Sequence, residues 1–456
     1  MIKLFSKSLL CIASSLFLLA CGSDKDKEEA TTYKQFYLQF YNGSPASALT
    51  YLRVVDGLTL GSAVYGDATS LINMENGQLA LEFYRQDSDD KEVLVDELQM
   101  TLNKSEKSLL VLSGGAATQN IAEHRFKREE LSSEFRLFAS SVIADDSQFD
   151  LYMSEAGTPF SEAHKLTTLA YQEFSETSYW GGPTDNFNLG NYVVYLTIPG
   201  QTEAVFQSAP IAFNFSTEYA IFIRATAGAH SGNIELDVVA NSSSVITYPD
   251  INESAQYRIY NSLLSASSLL HVSLEGSGGK SSEIEVEAKT LSSYVDIDFG
   301  SYRLSAQARG DENLSINNHF VSLNQGDSKA LVLYQKTDNS LGSISFNEST
   351  LPQSFQYQID IVNLVAEYSL VELYFLRADE TLDSAKYHIS ALSYAKSKSI
   401  TLPDDRYEIL ALVTSNDTKL LIDRIEQVEF INANNHIIVI ESEPTSVTDY
   451  KIRVVN

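Results

Sequence analysis

The chain has 456 residues, with 25 Tyr and 22 Phe but a single Trp, a balance that suits strands over helices. Its formal charge of -28 argues against nucleic acid as a partner and against docking on anionic lipid by charge. Of its two Cys, Cys11 lies in the apolar N-terminal run, so the mature domains hold no disulfide, no thiolate metal site and no Cys nucleophile.

In chain order, Lys3 and Lys7 precede an apolar run from Ser8 to Leu19 that ends in Leu18-Leu19-Ala20-Cys21. A short basic region, a brief apolar core and a small residue before the cleavage point predict a secretory signal over 1–20, not a membrane span. The ending resembles a bacterial lipobox, which implies lipidation of Cys21 with palmitate-type chains and anchoring in a lipid bilayer. Gly22 after that Cys resembles the pattern of lipoproteins exported to an outer membrane. Loss of 1–20 removes Lys3 and Lys7 and no acid, taking the formal charge from -28 to -30. Residues 21–32 are polar and charged, so they read as a flexible tether.

Beyond the tether one pattern recurs four times. Val295, Ile297 and Phe299 alternate with Asp296 and Asp298, then Gly300-Ser301-Tyr302 leads into a second alternating run. Period-2 alternation predicts strands with one buried face, and a Gly between two runs predicts a tight reversal, hence strand, turn, strand. Gly77 with Leu79, Gly190 with Tyr192 and Asp405 with Tyr407 repeat it, roughly 105 to 113 residues apart. An aromatic strand precedes each turn: Phe36–Asn42, Phe135–Ser141, Tyr257–Asn261 and Tyr357–Asn363. A predicted hairpin follows each, with turns at Asn103, Ser216, Asn324 and Asn432.

The reading is all-β: four tandem antiparallel β-sandwich domains of Ig-like, Greek-key type, over 33–131, 132–249, 250–351 and 352–456. Ser-, Asn- and Pro-rich segments at Asn241–Ser244 and Asn347–Gln353 are the expected linkers. End to end, four such domains would reach about 130 Å, and less if folded back. Ser44-Pro45-Ala46 after the first aromatic strand, with Gly300-Ser301-Tyr302, resembles a bacterial family of envelope domains of unknown function. That resemblance implies an immunoglobulin-like or transthyretin-like fold, and it brings no catalytic residues. Repeats 2, 3 and 4 lack the Pro.

The second repeat is longest, and its excess is Tyr171–Tyr192. Tyr171, Phe174, Tyr179, Trp180 and Phe187 flank Gly181-Gly182-Pro183 there. Aromatics on a loop with Gly hinges are what sugar- and protein-binding sites use, through stacking and low-entropy contact area. The same rings could instead fold back and plug the end of the sandwich. Asp296 and Asp298 share one strand face, so they are weak Ca²⁺ candidates; a solvated face is the alternative, and no cluster has EF-hand spacing. The seven His are single (124, 164, 230, 271, 319, 388 and 436), without zinc-site spacing, and His271 and His319 sit in strand-like runs. No G-x-S-x-G elbow or P-loop is present.

These features predict a non-enzymatic cell-envelope lipoprotein without cofactor, periplasmic or surface-facing, that binds an envelope protein or a glycan or acts as a structural spacer. A carbohydrate-binding or accessory component of an envelope system is the second reading. A hydrolase with a site assembled through space is the third.

Overall fold

The computed structural model describes residues 35–145, 147–181, 185–264, 269–430 and 435–456. The signal, Cys21 and its tether, Gly182-Pro183 and the Asn432 turn lie outside them. The described chain is almost wholly strand and turn. Eight sheets pair into four sandwiches, each around its own core. Among the described residues no helix is long and apolar enough to cross a membrane.

Each sandwich has the same plan. Its first strand (Phe36–Asn42, Glu134–Ser141, Ala255–Asn261 or Gln356–Asn363) runs parallel to a late one (Glu106–Ser113, Glu218–Ala225, Ser328–Gln335 or His436–Ser442). Among the described residues all other ladders are antiparallel. A parallel pair needs a long connection, and the opposite sheet supplies it: the chain leaves the first strand, builds that sheet and returns.

The four turn motifs are therefore not hairpins. Val295–Ile297 pairs with Ala255–Tyr257, whereas Gly300–Ala308 pairs with Leu270–Gly276 and Asp311–Leu323 in the facing sheet. Ile72–Met74 and Gly77–Gln86 part in the same way, as do Phe187–Asn188 and Gly190–Thr197, and Lys396–Pro403 and Arg406–Ser415. Alternation continues through the turn because both strands bury one face in the same core, so periodicity alone does not tell a corner from a hairpin. Gly77 (φ 144°) takes a backbone conformation that L side chains avoid. Gly190 and Asp405 are not among the positive-φ residues, so their corners form without that freedom.

The Tyr two residues after the turn locks the corner. Tyr192 Oη donates to the Asn188 carbonyl at 2.8 Å, Tyr407 Oη to that of Pro403 at 2.9 Å, and Tyr302 Oη to that of Asp298. This is the tyrosine corner of Ig-like sandwiches. Leu79 stands there in the first domain and makes no such bond. Tyr192→Phe is expected to cost the second domain about 1 kcal/mol, the net worth of one such bond. The emission of Trp180, 6.1 Å from Tyr192, should report it as a lowered urea midpoint.

The first strands end on a second device. Asn42 Nδ2 donates to Ala63 O (3.1 Å), Asn261 to Val286 O (2.9 Å) and Asn363 to Leu392 O (2.8 Å), tying the two sheets together; all three side chains are fully buried. The Asn42 carboxamide oxygen also accepts from Ser44 N and Ser47 Oγ, which is what the Ser-Pro-Ala turn does here.

The expected downstream hairpins are also crossings. Glu92–Leu102 stays in the opposite sheet while Glu106–Ser113 joins the first-strand sheet, and Asp311–Leu323 and Ser328–Gln335 part likewise. Asn241–Ser244 is no linker. It turns between Ile234–Val239 and Val245–Pro249, which pair with each other inside the second domain.

The domains are not strung out. The first-strand sheets bury their outer faces as well. Tyr41, Leu109 and Val111 pack on Phe138, Ala220 and Phe222, joining domains one and two. Tyr260, Val332 and Tyr334 pack on Val362, Ile437 and Val439, joining three and four. Burial on both faces explains the unbroken apolar runs Leu109–Leu112, Ala220–Ile223, Ala330–Leu333 and Ile437–Ile440. The pairs also touch each other. Ala229 N donates to Ser349 O at 3.0 Å, and the Arg85 guanidinium lies 3.9 Å from the Phe355 ring centre.

Candidate functional site

The five rings of the Tyr171–Tyr192 segment do not form one cluster. Phe187 is fully buried in the second core, against Phe135 at 5.3 Å. Phe174 stacks on His124 (4.3 Å) and Phe138 (5.3 Å) at the joint between domains one and two. Tyr171 reaches Ser113 of domain one at 3.2 Å. Tyr179 and Trp180 pack against the second core and are half-buried. Trp180 lies over His164 (4.8 Å, 12°) and edge-on to Phe187 and Tyr192.

Asp296 and Asp298 are exposed, and Lys280 Nζ lies 3.3 Å from Asp298 Oδ2. Among the described residues no group of three or more His, Cys, Asp or Glu could hold a metal ion. His271 and His319 both sit on strands.

One polar site is not singled out by the sequence. A cavity of about 270 Å³ opens where domain one (Tyr65), domain two (Arg224, His230, Glu235) and domain three (Gly326, Leu351) meet. Arg224 donates from Nε to Asp237 Oδ2 at 2.6 Å, and its Nη1 pairs with Glu235 at 2.5 Å. Asp237 is fully buried and also accepts from Tyr41 Oη (2.8 Å) and Thr247 Oγ1 (2.6 Å). Burial works against the Arg224 charge, but Asp237, Tyr41 and Glu235 hold its pKa above the usual value. Burial raises the Glu235 carboxyl, only partly countered by Arg224. Burial and the Asp237 charge push the Tyr41 hydroxyl well up. The site binds these domains by charge-assisted hydrogen bonds and presents a mixed charged wall. Its parts come from separate domains, so no local motif announces them. The one signal is Arg224 itself, a charge at the end of the apolar strand Glu218–Ala225.

At the same junction His230 Nε2 lies 2.8 Å from Glu253 Oε1, and Asn233 Nδ2 donates to that oxygen at 2.8 Å. The Glu253 carboxylate raises the His230 pKa above its usual value, against burial that would lower it. A raised folded pKa stabilises below the unfolded value and loses that contribution as pH rises through the folded one. His230→Gln is therefore expected to destabilise most below about pH 6.5, the unfolded His value. The gap in melting temperature between wild type and variant should close as pH climbs; a gap that widens would refute the pairing.

No family model matches the chain, and no curated protein matches it. Among solved structures, the Bacillus anthracis TIE protein is similar over 90% of this chain and 68% of its own, at 9% identity and a TM-score of 0.15. The major pilin subunit of Bacillus cereus is similar over 68% of this chain and 99% of its own, at 10% identity and a TM-score of 0.14. Superpositions this loose carry no argument.

Proposed function

We propose that the chain is a non-enzymatic cell-envelope lipoprotein: a stiff four-domain body held to a bilayer through lipidated Cys21, acting as a spacer or as a platform for an envelope partner. The observation that carries this reading is the use of both faces of the first-strand sheets. One face makes each core and the other joins neighbouring domains. A chain that spends its central strands on domain–domain contact gains fixed geometry. The -30 charge after loss of 1–20 favours solubility of that body. The anchor is tested by growing cells on labelled palmitate. Label should enter the wild type and not Cys21→Ala, and equal labelling would sink the anchor. Protease added to intact cells then separates surface from periplasm, since only surface domains are shaved.

A carbohydrate-binding role is the second reading, favoured by the half-buried Tyr179–Trp180 pair (ring centres 4.9 Å apart). Trp180 is the single Trp, so its emission is a direct probe. A soluble glycan that binds there should shift it, and an array without hits would count against this reading.

A further inference from the structure

One polar cluster is not explained by packing. Lys107, at the start of the late strand of domain one, is 3% exposed. Its Nζ donates to Asn241 Oδ1 of domain two at 2.7 Å. Among the described residues Lys107 makes no ion pair. The Asn241 carboxamide is held from its other side, where Nδ2 donates to Glu218 Oε2 (2.9 Å) and Thr217 Oγ1 (2.5 Å). Glu218 is 2% exposed and is fixed by the Arg128 fork, with Nη2 at 3.1 Å. A buried amine, a carboxamide and a buried carboxylate thus stand in a row across the joint of two domains.

The second domain pair lacks this row. Counting back from Asn42, Ser141 and Asn261 along the parallel ladders, Lys107 and Glu218 occupy matching places, and Ser328 holds that place in domain three. Packing of the joint therefore does not require an amine there.

We propose that Lys107 and Asn241 become covalently joined by a side-chain amide bond between the first two domains, with Glu218 as the catalytic carboxylate. Nζ in its neutral form attacks Cγ of Asn241, and the Nζ–Cγ bond forms. The proton shed by Nζ passes to Glu218, which then faces both nitrogens of the tetrahedral centre. Glu218 hands that proton to Nδ2, the Cγ–Nδ2 bond breaks, and ammonia leaves. Amine plus carboxamide gives secondary amide plus ammonia, with no redox change and no co-reactant.

Two properties of the site suit this step. Burial pushes the Lys107 ammonium down to about 7, so an appreciable share is the free nucleophile at neutral pH. Burial would raise the Glu218 carboxyl, but Arg128 and Asn241 hold it below its usual value, so it is ionised and ready to accept a proton. Exclusion of water from both groups protects the amine from competing solvation, and the hydrogen bond keeps Nζ 2.7 Å from the oxygen of the carboxamide it would attack.

The test is a peptide map of the full chain, purified and digested after denaturation. The expected product is a branched peptide containing Lys107 and Asn241, lighter than its two parts by one ammonia. Lys107→Arg keeps a buried cation, so it should fold, give an unchanged far-UV spectrum and yield only linear peptides. Glu218→Gln should lose or greatly slow the branch. Linear peptides bearing intact Lys107 and Asn241 in the wild type overturn the proposal and leave a plain hydrogen-bonded latch. A branch that persists at full yield in Glu218→Gln overturns the role given to Glu218.

Discussion

Arg224→Met is expected to cost about 3–5 kcal/mol, the penalty for breaking a buried ion pair by removing one partner. The Met fills most of the volume, so the loss is electrostatic. Asp237 is fully buried and, among the described residues, would keep Tyr41 and Thr247 as side-chain donors, while Glu235 would lose its cation. Tyr41 belongs to domain one and Arg224 to domain two, so the damage falls on their joint as well as on the second core. The deficit should shrink on acidification. Protonating carboxylates that have lost their counter-ion removes the buried charge, and Glu235 is already raised by burial. Thermal unfolding of wild type and variant across pH measures this. A deficit that stays flat with pH would mean that packing, not charge, carries the effect.

Phe135→Ala is expected to be as severe, at about 3–5 kcal/mol, through a cavity in the second core. Phe135 is fully buried, with Phe213 stacked at 4.5 Å, Phe187 at 5.3 Å, and Tyr219 and Tyr192 edge-on at 5.6 and 5.8 Å. Rings fixed in stacked and edge-on contact do not collapse readily into the space one of them leaves. A domain is stable by only about 5–15 kcal/mol in total, so most of the margin of the second would go. Trp180 lies 5.8 Å from Phe187 and so reads this core. Its denaturation midpoint should fall sharply while the far-UV signal of the other domains persists to higher urea. Coincident loss of both signals would instead mean that the four domains unfold as one unit.

The strands were legible because period 2 survives in sequence wherever one face is buried, as in Gly300–Ala308, where buried and open side chains alternate. The repeat was legible because the tyrosine corner demands its ring at a fixed offset. What failed was pairing. Val295–Ile297 and Gly300–Ala308 read as neighbours, yet their partners lie elsewhere in the domain, and ladder partners leave no mark in local spacing. The aromatic segment misled for a related reason. Tyr171 and Phe174 are drawn to a joint with Ser113 and His124, residues some 50 positions away. The polar junction around Arg224 was invisible because each of its charges looks like a surface residue until another domain covers it. Yet a signal was present: Leu109–Leu112 and its counterparts are apolar on both faces, which a lone sandwich with one solvated face has no use for.

Tyr41 and Tyr260 each stand one residue before the sheet-tying Asn, and each reaches a buried carboxylate of the next domain: Asp237 at 2.8 Å and Glu441 at 3.0 Å. The domain is thus the unit of folding but not of growth. A chain of this design lengthens by twos. An insertion or deletion of one domain would strand an apolar sheet face with no mate, and such a face is the kind that recruits other molecules. Recombination among these repeats should therefore tolerate even counts, and odd counts should dimerise or aggregate.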